Sequence, residues 1–453
     1  MWDRDTIFVF KIIWKLFQMY ISFWKWLFQT IWNLIIGVVN HHRINSANKT
    51  RRGVSTVQQL DLYSVLSQLN LNYITAAAVS GIIKRKVLRE YIKISVQDGY
   101  TPICFSGNCE ELIRSLQSIP GYDFVTPAID GYDPFFGFTE DEICQLIRQA
   151  AASISGMTIT NAAIQYLRGA INYLSLRDIV VGFQNIQLCI NSPIRIGTQT
   201  FDSLIELTEN DMQTGRLKPS DGLMIQRLLL SGQSELAKLQ EIFSYLYDNL
   251  SSYRLNGKVS TLLSALTCKK IILFDTGLFQ NNCLFSVIAK SIEICKQRGF
   301  RKYAIIVDNT LYENILPVKD MIHRHMVTNP VLFISENLYS LIGGNENEWK
   351  SIIGGASTLI IGRQNGSDIA KKLSEHFGQY EKYVITRGKG QGSSHAYYHL
   401  FSGIGQQNTF ETLSEVDKPK VSVDDLTRLN NNEILVADSL HDSIYHISVD
   451  ELV

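Results

Sequence analysis

The stretch RKYAIIVDNTLYENI, residues 301–315, decides the fold class of this sequence. Its core, YAIIVD, is a short apolar and β-branched run that ends in a carboxylate, as expected of a strand buried on both faces. Five further runs of this kind occur, and helical stretches separate them, as the crossovers of a parallel sheet require. They are YITAAAV (Tyr73–Val79), TPICFSG (Thr101–Gly107), KIILFDTG (Lys270–Gly277), PVLFIS (Pro330–Ser335) and STLIIG (Ser357–Gly362). The sequence therefore predicts an α/β fold with a mostly parallel sheet flanked by helices.

The chain between the predicted strands Thr101–Gly107 and Lys270–Gly277 does not show this alternation of strands and helices. From about Thr139 to Ser252 it has long helical periodicity with short breaks, which predicts an all-α domain inserted into the α/β domain. A polar linker is expected at about residues 40–58, and the glycine- and serine-rich stretch RGKGQGSSH follows Gly378. We expect five segments: 1–45 an N-terminal membrane-associated helix, 46–138 the first part of the α/β domain, 139–258 the all-α insert, 259–415 the second part of the α/β domain, and 416–453 a β-leaning tail.

The composition limits the partners and the compartment. The 453 residues include 43 Lys+Arg and 43 Asp+Glu, so no overall positive field draws the chain toward nucleic acid, and any such contact must be local. The seven cysteines are scattered and mostly set in apolar runs, which is typical of buried thiols in a reducing compartment. Cys104 and Cys109 are spaced too widely for a metal-binding pair. The sequence has no second pair of Cys or His residues that would complete a site with them, so no metal site is expected.

The first forty residues are strongly apolar with a regular polar repeat. From Ile7 to Val39 most residues are Phe, Ile, Leu, Val and Trp, and polar residues recur at steps of three and four. The polar positions are Lys11, Lys15, Gln18, Ser22, Lys25, Gln29 and Asn33. At about 100° per residue they fall within roughly 40° of one meridian, which predicts a long helix with a narrow polar stripe and a wide apolar face. Such a face on a terminal helix indicates contact with lipid or self-association.

Two arrangements of this helix on a membrane stay open. It can lie along the interface with its lysines and tryptophans among the headgroups, or cross the bilayer with its polar stripe hidden between copies. We favour a span in the Trp26–Val39 half and an interfacial first half. A cleaved signal peptide is disfavoured because the stretch is long, Trp-rich and without a small-residue cleavage site. Cations after residue 40 predict, by the positive-inside rule, that the bulk of the chain is cytoplasmic.

The order of these segments resembles the type IV coupling proteins of the TraG and TraD kind, the membrane-anchored pump ATPases of conjugation and type IV secretion. The likeness spans about residues 71–436. It is carried by GYTPICFSGNCEEL, by IDGYDPFFGFTEDE before the all-α segment, by RKYAIIVD at the Walker B strand, by GASTLIIGRQNGSDIAKKLSEHFGQYE and by the closing KPKVSVDDLTRLNNNEILV. The resemblance implies a RecA-like P-loop NTPase fold, a bacterial cell-membrane location, and ATP with Mg²⁺ as the family's cofactors.

The phosphate-binding loop departs from the family pattern. A P-loop, Gly-x-x-x-x-Gly-Lys-Ser/Thr, wraps phosphates with backbone N–H groups, meets the β- and γ-phosphates through lysine and holds Mg²⁺ through a hydroxyl. The candidate nucleotide-binding residues here are Ser80, Gly81 and Lys84. If Gly81 is the second glycine, Ile82 and Ile83 take the lysine and hydroxyl positions. If Lys84 is the lysine, Ile83 replaces that glycine and Arg85 replaces the hydroxyl residue. In either register magnesium loses a ligand and the loop gains bulk.

The second catalytic motif is only half kept. Asp308 stands where the family has its metal-side aspartate, and it completes the candidate nucleotide site. The next residue is Asn309, and an amide cannot act as the general base that hydrolysis needs. Ser335 and Glu336 stand where the family has a glutamine that senses the γ-phosphate. No residue is therefore assigned a catalytic role, and the resemblance implies a degenerate ATPase.

Simpler interpretations stand beside each of these. Asp308 alone can cap a strand end, and residues 84–86 can form a solvated first helical turn. Arg387 and Lys389 in RGKGQGSSH can contact a nucleic-acid backbone, but a flexible surface loop is favoured. His323 and His325 are interpreted as part of an exposed helix end, since no third ligand stands near them in sequence.

Three functions stay open. The leading hypothesis is a coupling-protein relative that needs no cofactor, assembles as an oligomer with itself or an active paralogous ATPase, and holds DNA or protein cargo at a bacterial membrane. The second is an active DNA-transfer ATPase with an atypical P-loop that binds ATP and Mg²⁺. The third is a membrane adaptor whose all-α domain docks relaxosome or effector proteins and whose α/β domain is only a scaffold. Secretion-channel or relaxosome proteins are the expected partners.

Overall fold

The computed structural model describes residues 4–52, 54, 58–59, 61–68, 73–107, 109–117, 123–251, 253, 261–308, 329–341, 345–391, 407–438 and 443–449. The chain forms two compact units. The smaller consists of Met1–Ser55 and Ala370–Asp425, and the larger of Thr56–Ile369 and Leu426–Val453.

The strands of the two units are, in chain order, β1 (Gln58–Gln59), β2 (Ile74–Ala78), β3 (Thr101–Ser106), β4 (Phe124–Val125), β5 (Ile194–Ile196), β6 (Gln199–Phe201), β7 (Ile271–Asp275), β8 (Tyr303–Asp308), β9 (Val331–Ser335), β10 (Ala356–Ile361), β11 (Gln379–Gln391), β12 (Gln407–Pro419), β13 (Glu433–Asp438) and β14 (Ser443–Ser448). Ten of them make one sheet in the larger unit, in the order β1-β14-β13-β10-β2-β9-β8-β3-β7-β4.

The centre of this sheet consists of the six strands that the sequence predicts. β10, β2, β9, β8, β3 and β7 are neighbours in that order, and each adjacent pair is parallel. Every residue of β3, β8, β9 and β10 is buried, which is why these strands read as continuous apolar runs. The predicted mostly parallel sheet is therefore confirmed. β13 extends it antiparallel to β10, from the segment expected to lean toward β structure.

The larger unit also contains helices between and beyond these strands. They are α2 (Leu62–Gln68), α3 (Gly81–Gln97), α4 (Cys109–Gln117), α5 (Pro127–Asp130), α6 (Glu140–Ser153), α7 (Asn161–Leu176), α8 (Phe183–Ile190), α9 (Leu204–Gln213), α10 (Pro219–Gly232), α11 (Leu236–Leu250), α12 (Leu262–Cys268), α13 (Asn282–Gln297), α14 (Leu338–Leu341) and α15 (Glu346–Ile352). The helix α3, which follows the central strand β2, buries Val87, Tyr91 and Ile92 in the core that it shares with the sheet.

The segment between β4 and β7 is mainly helical, from α5 to α12. It begins with a capping box in which Thr139 and Glu142 satisfy each other's backbone N–H groups at the start of α6. The short antiparallel hairpin β5–β6 interrupts the helices and was not predicted, because three-residue strands give almost no periodic signal. α7 and α10 pack closely within this segment.

The smaller unit contains one long helix, α1 (Arg4–Arg52), most of α16 (Ser367–His376), the hairpin β11–β12 and the start of α17 (Val423–Thr427). α1 continues without a break into the polar segment where a linker was expected. β11 and β12 pair in antiparallel register over their full lengths, from Gln379 opposite Pro419 to Gln391 opposite Gln407. The interpretation of RGKGQGSSH as a loop is therefore wrong for residues 387–391, whose backbone belongs to β11.

The C-terminal end of α1 is tied to this hairpin by two arginines. The Arg51 guanidinium donates to the backbone oxygen of Glu381 at 3.3 Å and to the Glu415 carboxylate at 3.2 Å. Arg52 donates to the backbone oxygen of Lys420 at 2.8 Å and pairs with the Asp425 carboxylate at 2.5 Å. Charged hydrogen bonds of this kind explain why the helix persists through residues that favour a linker.

No helix within the described part of the chain has the length and apolar character needed to cross a membrane. The crossing segment expected at Trp26–Val39 is therefore not found.

The crossing of α7 and α10 generates the first prediction. A Cβ atom on Gly232 would overlap the backbone oxygen of Ala162, and backbone cannot swing aside as a side chain can. We expect Gly232→Ala to lower the free energy of unfolding by about 2 kcal/mol or more, measured by urea denaturation. Gly366→Ala is the control, because its Cβ would meet only Ile369 Cδ1 at an ordinary 3.7 Å. Equal stability of the two variants would show that the helices do not cross this closely.

Candidate functional site

The carboxyl ends of the central parallel strands meet at one edge of the sheet, where sites in open α/β sheets are found. Asp308 ends β8, Ser106 ends the neighbouring β3, and Ser335 ends β9. Two residues separate the end of β2 from the start of α3, and Gly81 is the first residue of α3. The four predicted nucleotide-site residues, Ser80, Gly81, Lys84 and Asp308, all lie at this edge.

Lys84 and Asp308 form a buried ion pair. Lys84 lies one turn into α3, and its Nζ is 2.5 Å from Asp308 Oδ1, with the two side chains 11% and 4% exposed. Ser106 Oγ donates to the other carboxylate oxygen at 2.8 Å, and the backbone N–H of Gly107 donates to the backbone oxygen of Asp308 at 3.1 Å. The structure therefore brings together two residues that are far apart in sequence. The interpretation of Lys84 as part of a solvated turn is wrong, although Arg85 is exposed.

The connection between β2 and α3 is very short. It consists of Val79 and Ser80, and Ser80 is the N-cap residue without a side-chain capping bond. Gly81 has φ +55°, a left-handed conformation that disfavours a side chain, whereas a Cβ there would meet nothing within 4 Å. The left-handed backbone conformation at residue 81 therefore explains why a glycine is found there. Lack of space for a side chain does not explain it. Ile83 is 6% exposed and belongs to the hydrophobic core.

A cleft of about 400 Å³ opens at the N-terminal end of α3. Its polar lining consists of Ser80, Gly81, Lys86, Arg363, Asn431 and Asn432. Two cations beside a helix N-terminus give the cleft a positive character that suits an anionic ligand. Lys84 is not among its lining residues, because its side chain points to Asp308.

Sequence reasoning missed four of these lining residues and Ser106. Lys86 was seen only as part of a basic turn, and Arg363, Asn431 and Asn432 lie in segments that follow β10 and precede β13. Only the antiparallel pairing of β10 with β13 brings these segments together, and no local sequence pattern predicts that pairing. Ser106 had a weak signal, since it is a hydroxyl residue at the end of a strand predicted to be buried.

Gln364 connects the ends of two strands beside the cleft. It is 4% exposed, and its side-chain amide donates to the backbone oxygens of Ala78 at 3.1 Å and Gly362 at 3.2 Å. Its own backbone N–H donates to Leu426 at 3.0 Å. The backbone oxygen of Ala78 also accepts from the backbone N–H of Gly362 at 2.9 Å, so Gln364 adds a second bond there and joins the ends of β2 and β10.

Other titratable groups at this edge are shifted mainly by burial. Burial raises the pKa of Asp275, at the end of β7, and the backbone N–H of Gly277 partly opposes that rise. Burial raises the pKa of the thiols of Cys104 and Cys109, and nearby carboxylates add to the effect. These cysteines are therefore inert thiols, as their apolar sequence context predicts.

The remaining predicted residues are distributed as follows. Ser335 is buried, and its Oγ accepts from the backbone N–H of Asn337 at 3.2 Å, while Glu336 is exposed. Asn309, His323 and His325 lie outside the described residues, and so do the side chains of Arg387 and Lys389.

Comparisons with known proteins agree with this geometry. Residues 337–431 match the family model described as the TraM recognition site of TraD and TraG. No curated protein sequence matches the chain. Among solved structures, the unbound bacterial conjugative coupling protein TrwBdeltaN70 is similar at a TM-score of 0.50 and 12% identity, covering 89% of this chain and 91% of that one.

Two further solved structures are similar to the chain. Plasmid coupling protein TrwB in complex with ADP and Mg²⁺ has a TM-score of 0.50 and 13% identity, over 89% of this chain and 91% of that chain. VirB4 of Thermoanaerobacter pseudethanolicus has a TM-score of 0.42 and 10% identity, over 84% and 89% of the respective chains.

The TrwB likeness extends over most of the chain and shows a RecA-like P-loop NTPase fold. The family-model match supplies the sequence relationship that structural likeness at such low identity does not. Residues 337–431 of this chain therefore match the TraD and TraG family model, and most of the chain has the fold of the coupling protein TrwB.

Proposed function

We propose that this protein is a conjugation or type IV secretion component that acts at a bacterial membrane without effective ATP hydrolysis of its own. It assembles with itself or with an active paralogous ATPase, and it holds DNA or protein cargo. The observation that carries the proposal is the buried ion pair between Lys84 and Asp308.

This pair does not fit a magnesium–nucleotide complex. In a working site the lysine meets phosphate and the aspartate holds Mg²⁺. Here the two groups bond to each other, and Ser106 occupies the second carboxylate oxygen of Asp308. To bind Mg²⁺ and phosphate, both side chains would have to break buried charged contacts. No catalytic step through ATP is therefore assigned to this chain.

The short connection after β2 supports the same proposal. A P-loop wraps phosphate with several successive backbone N–H groups before its helix begins. Here α3 begins two residues after β2, and Ile83, at the position of the second glycine in the Lys84 register, is packed into the core. Unwinding the first turn of α3 to make such a loop would expose Ile83 and break the Lys84 contact. The cleft beside Lys86 and Arg363 can still accept an anion, but none of its lining residues in the described part of the chain has a carboxylate to hold Mg²⁺.

The proposed partners follow from the family match and from α1. The matching family model is named for TraM recognition, so we expect relaxosome or secretion-channel proteins to contact residues 337–431. The described side chains of α1 between Ile12 and Val39 are almost all exposed, and Trp14, Trp26 and Phe28 are 56%, 61% and 70% exposed. A continuous apolar surface of this kind marks a contact with lipid or with other copies. We therefore propose membrane attachment through α1, with the rest of the chain in the cytoplasm.

An active ATPase with an atypical P-loop is the second candidate. The observation in its favour is that Lys84 and Asp308 do meet at the carboxyl edge of the sheet, as the two Walker motifs must. A neighbouring copy would then have to supply the missing hydroxyl and base. The third candidate, a membrane adaptor without cargo-handling activity, differs from the first by the absence of salt-dependent DNA binding.

The first prediction from this site concerns turnover. We expect phosphate release by the purified full chain with ATP, Mg²⁺ and DNA to stay far below about 1 per second, the lower end of ordinary enzyme rates. The physical reason is that lysine and carboxylate neutralise each other instead of the nucleotide and its metal. A rate at or above that value which Asp308→Ala abolishes would support the active ATPase instead.

The second prediction concerns the ion pair itself. Lys84→Met leaves the Asp308 carboxylate buried without its countercharge, so we expect a loss of about 3–5 kcal/mol in the free energy of unfolding. The double variant Lys84→Met, Asp308→Leu removes both charges and should lose much less than the sum of the single changes. Urea denaturation of the three variants measures this coupling.

Arg85→Met serves as the control, because this neighbouring cation is exposed and should cost less than about 1 kcal/mol. If Lys84→Met costs no more than Arg85→Met, the lysine is not held by the fold and is available to a phosphate. That result would contradict the proposed inactive site.

A further inference from the structure

α1 carries a concentrated positive charge on an otherwise balanced chain. It contains eight Lys and Arg residues against the single Asp5, whereas the whole chain has 43 of each sign. No acidic residue occurs between Asp5 and Asp61. The charge asymmetry is therefore local to the helix with the exposed apolar face.

Only part of this charge is neutralised within the chain. Arg51 pairs with Glu415 and Arg52 pairs with Asp425. Lys15, Lys25 and Lys49, by contrast, are exposed cations on a helix that lacks neighbouring carboxylates in its own sequence. Among the residues that the structure describes, no carboxylate pairs with any of these three lysines.

The hairpin and the residues just after it contact one side of the C-terminal end of α1. At about 100° per residue, Arg51 lies roughly 40° from the meridian of Lys11, and its guanidinium binds Glu381 and Glu415. Asn48, roughly 100° from Lys11, is only 8% exposed, and Arg52, roughly 140° from Lys11, binds Lys420 and Asp425. These contacts therefore cover an arc of roughly 40–140° at this end of the helix, and Lys49 beyond that arc is exposed.

The width of the apolar side sets the depth at which such a helix rests in a lipid surface. Polar residues occupy an arc of roughly 80°, so most of the circumference prefers the acyl region and the stripe comes to lie near the headgroups. The stripe lysines then stand at the level of the lipid phosphates, which their long side chains reach. Lys49, roughly 200° from Lys11, lies on the apolar side of the helix, beyond the apolar stretch that ends at Val39.

We propose that α1 docks on an anionic lipid surface, and that Lys15, Lys25 and Lys49 select anionic over neutral headgroups. This inference rests on the membrane attachment proposed above and specifies its lipid partner. A lipid surface fits better than a nucleic acid, because duplex DNA offers no partner for so wide an apolar face. Each basic residue near an anionic surface adds to its attraction, so several together give a strong preference.

Vesicle co-sedimentation of the full chain tests the inference. We expect binding to vesicles of phosphatidylcholine with phosphatidylglycerol to be at least about tenfold tighter than to phosphatidylcholine alone. The preference should fall in about 1 M salt, where the Debye length is about 3 Å. The variant Lys15→Gln, Lys25→Gln, Lys49→Gln should lose most of the preference while keeping its binding to neutral vesicles.

The control variant is Arg195→Gln, Lys218→Gln, Arg227→Gln, which changes net charge equally at exposed positions of the larger unit. It should bind like the unchanged protein. Equal binding to both vesicle types, or an equal loss in both variants, would overturn the lipid selectivity and leave membrane attachment standing. Binding to neither vesicle would overturn the attachment itself. Displacement from anionic vesicles by duplex DNA would assign these cations to nucleic acid and overturn the inference.

Discussion

Burial of the central strands on both faces is the constraint on which the rest of the structure depends. β3, β8, β9 and β10 have no exposed residue, so a polar side chain on these strands can escape the apolar layers only near the strand ends. Asp308, Ser106 and Ser335 all occupy last positions of such strands. These three polar groups therefore lie along one edge of the sheet, and the chemistry of this edge depends on how they bond to one another.

In this chain these groups bond to one another. A buried carboxylate requires a countercharge and hydrogen bonds, and Asp308 obtains both from Lys84 and Ser106. Gln364 adds hydrogen bonds to the backbone oxygens of Ala78 and Gly362 at the same edge. Lys84 and Asp308, two of the predicted nucleotide-site residues, are thus held by bonds within the protein.

The sequence predicted the sheet well because its evidence is local. A strand buried on both faces must be an apolar run, and YAIIVD and STLIIG are such runs within a residue of their observed ends. Ser80 and Gly81 lie in the turn between a strand and a helix, which is also a local feature of the sequence. The contact between Lys84 and Asp308 was not foreseen, because a basic residue in a first helical turn looks the same whether it meets water or a distant carboxylate.

The hairpin and the end of α1 were missed for a related reason. Glycines and serines lower strand propensity in residues 387–391, and only pairing with β12 holds them extended. The residues after position 40 resemble a linker until Arg51 and Arg52 find their acidic partners on the hairpin. In both places a tertiary contact between distant segments overrides the local secondary-structure preference. No sequence pattern within either segment predicts that contact.

The unbroken course of α1 has a mechanical consequence. A helix of 49 residues is about 70 Å long and stiff against torsion, because every turn is fixed by backbone hydrogen bonds. The contacts of Arg51 and Arg52 with the smaller unit therefore fix the rotation of the whole helix about its axis, including Trp14 and Trp32 far upstream. Turning the hairpin about this axis by about 100°, the angle between successive residues, would turn the apolar side of α1 by the same angle. A rotation of the hairpin would therefore be transmitted along the helix to its N-terminal half.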